Sequence, residues 1–335
     1  MLDARGHLGN FHAAVSTLQT PLVSVVIPVF NSAGLVGQTL EALRLQTFQN
    51  FEALIVDDGS TDDTAAFVSQ FCQADPRLRL VSRPHAGLSG TRNAGMEQAR
   101  GEFIAFLDHD DIWFPEKLAR QMELFRADPR VNFSYTNYFF WDGQRDFAPG
   151  YREHRPLPDG DAGRQLAFSN IYGMSTVVVR REMFERAGCF DTSFDGCEDW
   201  DMWLRLAEHG LWARGTREPL ARYRRWPGNM SNQKIKMATG DVLVLEKNLR
   251  ATRRAELRPL YRQALSIAQG KLELARARPL IEAQPEKIPA AVWRAWRFHP
   301  SRLKWLMWFL LVAWPGFLGG NKTARVVHRK LVEKF

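Results

Sequence analysis

An α/β fold with a mostly parallel central sheet flanked by helices is the class this sequence predicts, and three observations carry the prediction. Short apolar runs alternate with amphipathic ones through the first half of the chain, polar clusters follow the apolar runs, and a purely helical pattern takes over beyond about residue 235. The alternation is the rhythm of βα units. Polar clusters belong at the carboxyl ends of strands because open parallel sheets bind ligands there.

Taken in order, Val23 to Val29 reads as the first strand and ends in Pro28-Val29-Phe30-Asn31, and Leu35 to Leu45 reads as the first helix. Phe51 to Val56 is the second strand, followed by Asp57-Asp58-Gly59-Ser60-Thr61-Asp62-Asp63 and a helix from Thr64 to Phe71. Ser60 and Asp63 stand at capping-box spacing, so helix initiation is the local reading of residues 60–63, and it leaves Asp57 and Asp58 unexplained. A strand at Leu78 to Val81, a helix at Leu88 to Ala99 and a strand at Phe103 to Leu107 continue the pattern. The last strand runs into Asp108-His109-Asp110-Asp111.

Three carboxylates behind an apolar strand with no neighbouring cation in sequence suit a bound metal. Strand alternation points residues two apart to the same side, so Asp108 and Asp110 can converge on one hard cation and leave its other positions to water and phosphate oxygens. The plainer alternative is a solvated turn or the cap of the next helix. A carboxylate such as Asp58 can accept the imino N–H of a uracil-type base, with Phe30 offering its ring an apolar face.

Composition narrows the function classes. With 335 residues the chain holds one large domain or two ordinary ones, and 45% hydrophobic with 24% charged residues is ordinary for a folded protein. Cys72, Cys189 and Cys197 form no Cys-x-x-Cys pair, so neither a disulfide framework nor a thiolate zinc site is indicated and a reducing compartment fits. Residues 1–20 lack a continuous apolar stretch and carry Asp3, so they read as a flexible arm and not as a secretory signal. A net charge of +8 favours anionic partners: a nucleotide, an acidic membrane surface or nucleic acid. No Gly-x-Gly-x-x-Gly follows the first strand and no Gly-x-x-x-x-Gly-Lys-Ser/Thr occurs, which argues against a dinucleotide oxidoreductase and a P-loop phosphohydrolase. A nucleotidyltransferase would need a basic, glycine-rich phosphate loop where Pro28-Val29-Phe30-Asn31 stands. No nucleic-acid-binding motif is visible, and none of the chain's partners is expected to be nucleic acid.

Val23 to Asn31, Ile55-Val56-Asp57-Asp58-Gly59-Ser60-Thr61-Asp62, Gly87-Leu88-Ser89-Gly90-Thr91-Arg92-Asn93-Ala94-Gly95 and Phe106-Leu107-Asp108-His109-Asp110-Asp111 together resemble the family 2 glycosyltransferases of GT-A fold. Gly188-Cys189-Phe190-Asp191 and Glu198-Asp199-Trp200-Asp201 extend the resemblance, which covers about residues 22–231. It implies inverting transfer of a sugar from a nucleotide-diphosphate donor. Pro28, Phe30, Asn31 and Asp58 would then contact the base and nucleoside, and Arg92 and Asp108 would lie near the phosphates. Asp108 and Asp110 would hold Mn²⁺ or Mg²⁺, Asp199 would be the catalytic base with Glu198 as its accessory, and Trp200 would line the substrate cleft. The middle residue of the metal motif is small or acidic in the commoner pattern; His109 stands here, and imidazole suits Mn²⁺ better than Mg²⁺.

Glu198 and Asp199 also precede an apolar helical face, so N-capping is the competing reading for both. The stretch from Arg222 to Ser231 is basic and aromatic, suited to closing over a diphosphate, meeting an acceptor or standing as a solvated loop. Processive synthases of the resembled family carry Gln-x-x-Arg-Trp here, whereas Arg222 precedes Arg225-Trp226, which favours addition of a single sugar.

The expected organisation is therefore a GT-A domain over 21–234 and a helical region over 235–335. Residues 293–318 combine tryptophans, arginines and a short apolar run that falls below the roughly 20 residues of a bilayer-spanning helix. That suits peripheral contact with an acidic membrane on its cytoplasmic face, or packing on the protein itself. A glycan or lipid-linked acceptor follows as the expected partner. The competing class is a catalytically degenerate nucleotide-sugar-binding or scaffold protein on the same fold.

Overall fold

The computed structural model of the chain describes residues 20–150 and 157–277. The expected N-terminal arm and the tryptophan-rich 293–318 segment lie outside them.

The first half follows the βα alternation: β1 (Val23–Val29), α1 (Val36–Arg44), β2 (Phe51–Asp57), α2 (Thr64–Ala74), β3 (Leu78–Ser82), α3 (Gly87–Gln98) and β4 (Phe103–Phe106). There follow β5 (Ile112–Trp113), α4 (Lys117–Ala127), β6 (Phe133–Trp141), β7 (Asp146–Pro149), β8 (Gly160–Asp161), α5 (Gly163–Leu166), β9 (Val177–Arg180) and α6 (Arg181–Ala187). The described chain ends with α7 (Glu198–Glu208), β10 (Trp212–Arg224), α8 (Lys234–Ala251) and α9 (Arg258–Ala277). One sheet runs β3-β2-β1-β4-β9-β6-β10-β5, with β7 on β6 and β8 on β10. Strands β3, β2, β1 and β4 are parallel, β9 is antiparallel to β4 and β6, and β10 returns parallel to β6. The sheet is thus mixed.

Strand β1 is buried along its whole length because helices cover both of its faces. Val23, Val25 and Ile27 enter one apolar cluster with Leu40 of α1 and Leu118 and Met122 of α4, while Val26 enters another with Phe106 and with Trp203 and Leu204 of α7. Helix α3 seats close on the sheet: a Cβ on Gly95 would stand 2.4 Å from Cγ1 of Val26. Helix α8 packs on α7 and α9. No helix among the described residues is long and apolar enough to cross a membrane.

The capping expectation at residues 60–63 is corrected. Helix α2 begins at Thr64 with Asp63 as N-cap; the Asp63 side chain makes no capping bond, and Asp62 Oδ1 accepts the Thr64 N–H at 3.0 Å. Ser60 Oγ instead accepts the Asn31 N–H at 3.0 Å and donates to Asp57 Oδ1 at 2.5 Å, so it ties the ends of β1 and β2 together and does not serve the helix.

Candidate active site

The ends of β1 and β2 are tied together by their own polar groups. Asn31 adopts φ 46°, a conformation asparagine tolerates, and its Oδ1 accepts the Thr61 N–H at 2.8 Å while its N–H donates to Ser60 Oγ at 3.0 Å. Asp58 is buried: Oδ1 accepts the Ala86 N–H and Oδ2 the Gly87 N–H, both at 2.9 Å, and His85 Nδ1 stands 2.8 Å from Oδ2. Asp58 therefore fixes the loop that opens α3, where Gly87 needs a φ of 77°. Phe30 is 43% exposed and its ring centroid lies 4.7 Å from that of His85, so the two rings offer one apolar surface beside Asp58. Pro28, expected at the substrate, is instead buried within β1, paired with Val56 of β2.

Arg92 joins the remaining elements. It lies on α3, is 2% exposed, and donates through Nη2 to Asp108 Oδ1 at 2.8 Å and through Nη1 to Glu198 Oε1. Among the described residues its Nε has no hydrogen-bond partner. Burial opposes its charge, but Asp108 and Glu198 outweigh that and hold its pKa above the ordinary arginine value. One guanidinium thus binds the carboxylate after β4 to the carboxylate that opens α7.

The strand does not continue through the acidic run as its alternation suggested. β4 ends at Phe106 and the chain turns, with the Asp111 N–H donating to the Asp108 carbonyl at 3.1 Å. Thr39 Oγ1 holds the turn from beneath through the carbonyls of His109 and Asp111. Asp110 and Asp111 then meet the end of β10: Arg224 Nε donates to the Asp110 carbonyl at 2.9 Å, the Arg224 N–H to Asp111 Oδ1 at 3.0 Å, and Trp226 Nε1 to Asp110 Oδ2 at 2.9 Å. Burial raises the Asp110 pKa, with repulsion from Asp108 adding to it. Asp111 is fully buried and raised well above the carboxylate range by burial and by both neighbouring aspartates, against the pull of Ser175 and the Arg224 N–H. Hard oxygen donors with repelling, partly desolvated charges suit a divalent cation. Among the described residues no group of three His, Cys, Asp or Glu side chains is arranged to hold one alone. A cation at Asp108 and Asp110 would therefore take the rest of its shell from a diphosphate and water.

Helix α7 starts from a strained turn. Gly196 has φ 105° and Cys197, its N-cap, φ 64°. Glu198 and Asp199 occupy the first turn, where the helix dipole favours acids, and the N-cap side chain itself makes no capping bond. Glu198 turns to Arg92. Asp199 stays at the partly exposed edge of the site, its Oδ1 accepting the Trp200 N–H and its Oδ2 accepting Asn170 Nδ2, both at 2.8 Å. Burial, then the Glu198 charge, push its pKa up to about 7 against the opposing pull of Asn170 and Arg92. Trp200, expected to line the cleft, is instead 3% exposed with its indole N–H on the Leu166 carbonyl, because the helical stripe aims it into the core.

Helix α8 supports that turn from behind. Cys197 Sγ lies 3.6 Å from the Met237 carbonyl and from Asp241 Oδ1, and Gly240 leaves room for it. Lys247 Nζ and Asn248 Nδ2 bind the fully buried Asp201 at 2.9 and 3.0 Å. Sequence reasoning overlooked Asn170, His85 and this support, and it singled out the stretch that holds Arg224 without its bonds to the acidic turn. Asn170 sits in an unpatterned loop, and Arg224 acts partly through its backbone, so neither leaves a motif to read.

The family model for Glycosyl transferase family 2 matches residues 24–187. The UDP-Glc:alpha-D-GlcNAc-diphosphoundecaprenol beta-1,3-glucosyltransferase WfaP of Escherichia coli is 33% identical over 218 residues, 64% of this chain and 82% of that protein. The putative teichuronic acid biosynthesis glycosyltransferase TuaG of Bacillus subtilis is 32% identical over 219 residues, 65% of this chain and 84% of that protein. In fold, the chain is similar to the mannosyltransferase PcManGT from Pyrobaculum calidifontis, solved with GDP-Man and Mn²⁺, at a TM-score of 0.61 and 23% identity over 92% of this chain and 83% of that one. The mixed sheet with helices on both faces is the GT-A fold. With two relatives above 30% identity matched over more than four-fifths of their lengths, and the acidic strand ends gathered round Arg92, the chain belongs to glycosyl transferase family 2.

Proposed function

We propose that this chain is a metal-dependent, inverting glycosyltransferase that moves one sugar from a nucleotide-diphosphate donor to a hydroxyl of a glycan or lipid-linked acceptor, in the assembly of a cell-surface polysaccharide or glycolipid. The observation that carries this reading is Asp199: a carboxylate at the open edge of the site, with a pKa of about 7, coupled through Glu198 and Arg92 to the acidic turn at Asp108.

An acceptor hydroxyl is a weak nucleophile at neutral pH, and a base tuned near 7 removes its proton most effectively. Asp199 takes that proton as the acceptor oxygen bonds to the anomeric carbon and the bond from that carbon to the diphosphate oxygen breaks. A single displacement from the face opposite the leaving group inverts the anomeric configuration. Asn170 and the Trp200 N–H keep the Asp199 carboxylate from rotating. Arg92 holds Asp108 and Glu198 in register and supplies positive charge beside the phosphates. Phe30 and His85 receive the base, and Asp58 sets the loop on which His85 stands. A divalent cation held at Asp108 and Asp110 would supply Lewis-acid stabilisation of the departing diphosphate.

Single addition is supported by Arg222, which is engaged with Asp146 at 2.8 Å where a processive synthase of the resembled pattern has glutamine. Peripheral membrane contact through residues 293–318 belongs to the same reading, and sedimentation with anionic vesicles tests it.

The test of the function is binding and turnover of a panel of nucleotide sugars with Mn²⁺, Mg²⁺ or EDTA, using the unmodified protein, Asp110→Ala and Asp199→Asn. One donor turned over with metal, lost in Asp110→Ala, and still bound but turned over about 10²–10⁴-fold more slowly in Asp199→Asn is the expected result. Failure of every donor to bind with any metal refutes the reading.

A further inference from the structure

Asp108 and Asp110 of the acidic turn each have one oxygen engaged by an N–H donor. Asp108 Oδ1 accepts from Arg92 Nη2 at 2.8 Å, and Asp110 Oδ2 accepts from Trp226 Nε1 at 2.9 Å. Trp226 is 40% exposed, so solvent can satisfy its indole N–H, whereas the buried Trp113, Trp200 and Trp203 must find carbonyls inside the protein and do. Burial does not require the bond from Trp226 to Asp110.

The loop behind the ring nevertheless fixes it there. The Trp226 N–H donates to Asn229 Oδ1 at 2.6 Å, the Asn229 N–H returns to the Trp226 carbonyl at 3.1 Å, and Asn232 Nδ2 reaches the same carbonyl at 3.0 Å. Asn229 is buried, and the indole lies so close over Gly228 that a Cβ there would collide with it. On the strand side, the N–H and Nε of Arg224 bond to Asp111 and to the Asp110 carbonyl, so the backbone that delivers Trp226 is anchored to the turn that its ring contacts. An exposed indole braced from both ends is aimed at one carboxylate oxygen.

We infer that Trp226 sets cation specificity at the acidic turn: it holds one oxygen of Asp110, as Arg92 holds one of Asp108, and the single oxygen each carboxylate then offers selects a small octahedral cation, Mg²⁺ or Mn²⁺, over Ca²⁺. This rests on the transferase reading, in which the diphosphate completes the shell. Ca²⁺ gathers about six to eight oxygens and accepts a carboxylate through both of its own, whereas Mg²⁺ demands octahedral geometry and is held by few carboxylates together with substrate phosphates and water. Mn²⁺ shares that octahedral oxygen preference. Hydrogen-bond partners of ligating carboxylates fix their orientation, and losing one costs about 10–100-fold in metal affinity. Trp226 touches no reacting atom and acts through Asp110.

Calorimetric titration of the full chain with uridine, guanosine and thymidine diphosphates, each with Mn²⁺, Mg²⁺ or Ca²⁺, tests the assignment on the unmodified protein, Trp226→Phe, Asp110→Ala and the double variant. Phenylalanine keeps an aromatic ring on an exposed loop and removes the donor. The unmodified protein should bind at least one diphosphate about tenfold more tightly with Mn²⁺ or Mg²⁺ than with Ca²⁺, and Trp226→Phe should shrink that ratio about tenfold. Asp110→Ala should abolish the preference by itself, and adding Trp226→Phe should then change nothing further, which a general loosening of the loop would not produce. The assignment is overturned if the unmodified protein binds without preference, if Trp226→Phe weakens binding equally with all three cations, or if its effect persists undiminished in the absence of the Asp110 carboxylate. An unmodified protein that binds none of the diphosphates with any cation refutes the transferase reading and the assignment with it, a result distinct from binding without preference.

Discussion

The pH dependence of turnover is where the geometry around Asp199 makes its sharpest claim. An ordinary aspartate, near 3.8, is fully ionised across the neutral range, whereas Asp199 is pushed up to about 7. The base must be deprotonated to act, so kcat/KM should rise with pH, about tenfold per unit below 7, and level off above it. The two flanking groups should move this limb in opposite directions. Asn170 donates to the carboxylate and stabilises its charged form; a hydrogen bond to a charged group contributes about 1.5–3 kcal/mol, and one pKa unit corresponds to about 1.4 kcal/mol. Asn170 is exposed, so water replaces part of that bond, and Asn170→Ala should move the limb up by about half a unit to one unit. Glu198 repels the charged form; Glu198→Gln removes that charge and leaves Arg92 less neutralised, both of which favour the carboxylate, so the limb should move down. The assay is kcat/KM from about pH 5 to 9 at fixed saturating metal, with donor affinity followed alongside. A flat profile over that range, or a shift of both variants in the same direction, refutes the assignment of Asp199 as the base.

Three predictions concern stability. Arg92→Met leaves the buried Glu198 carboxylate unpaired and should cost about 3–5 kcal/mol in denaturant unfolding, with much of the loss recovered in Arg92→Met/Glu198→Gln; additive losses would show that the two do not interact. Lys117 is fully buried over Trp113, hydrogen-bonded to Gln121, and burial lowers its pKa well below the lysine value. The unfolded chain therefore takes up a proton that the folded one resists, so stability should fall as pH drops below about 10, and Lys117→Met should flatten that slope; parallel curves for the two proteins would count against it. Gly95→Ala would drive a methyl into Val26 and Val56 and should lower the unfolding free energy by about 1–3 kcal/mol, read from the urea midpoint.

The first half of the fold was legible because each element carries its own pattern: β1, α1 and β2 start and stop within a residue of their apolar runs, and α2 starts at Thr64 as expected and runs three residues past Phe71. From β5 onward order is set by contacts distant in sequence. The short β8 and β9 and the bulged pairing of β10 with β6 have no local signature, and a mixed sheet replaces the mostly parallel one expected. The site divides in the same way. The acidic clusters were visible as residues, but their geometry was not: a turn held by Thr39, at position 39, and by Arg224, at position 224, replaces the alternation that a continuing strand would impose. Pro28 and Trp200 stand beside polar residues in sequence, and only the packing on both faces of the sheet shows that they are buried.

The support that α8 gives to the turn at Cys197 bears on how the protein can be divided. A fragment ending near residue 234 would retain the loops of Phe30, Asp58 and Asp110 while Cys197 and Asp201 lost Asp241, Lys247 and Asn248. Nucleotide binding and sugar transfer should therefore part company on truncation. Sequence drift along α8, which carries no reacting group, would register as a change in rate through the pose of Asp199, making this helix a remote throttle on the chemistry.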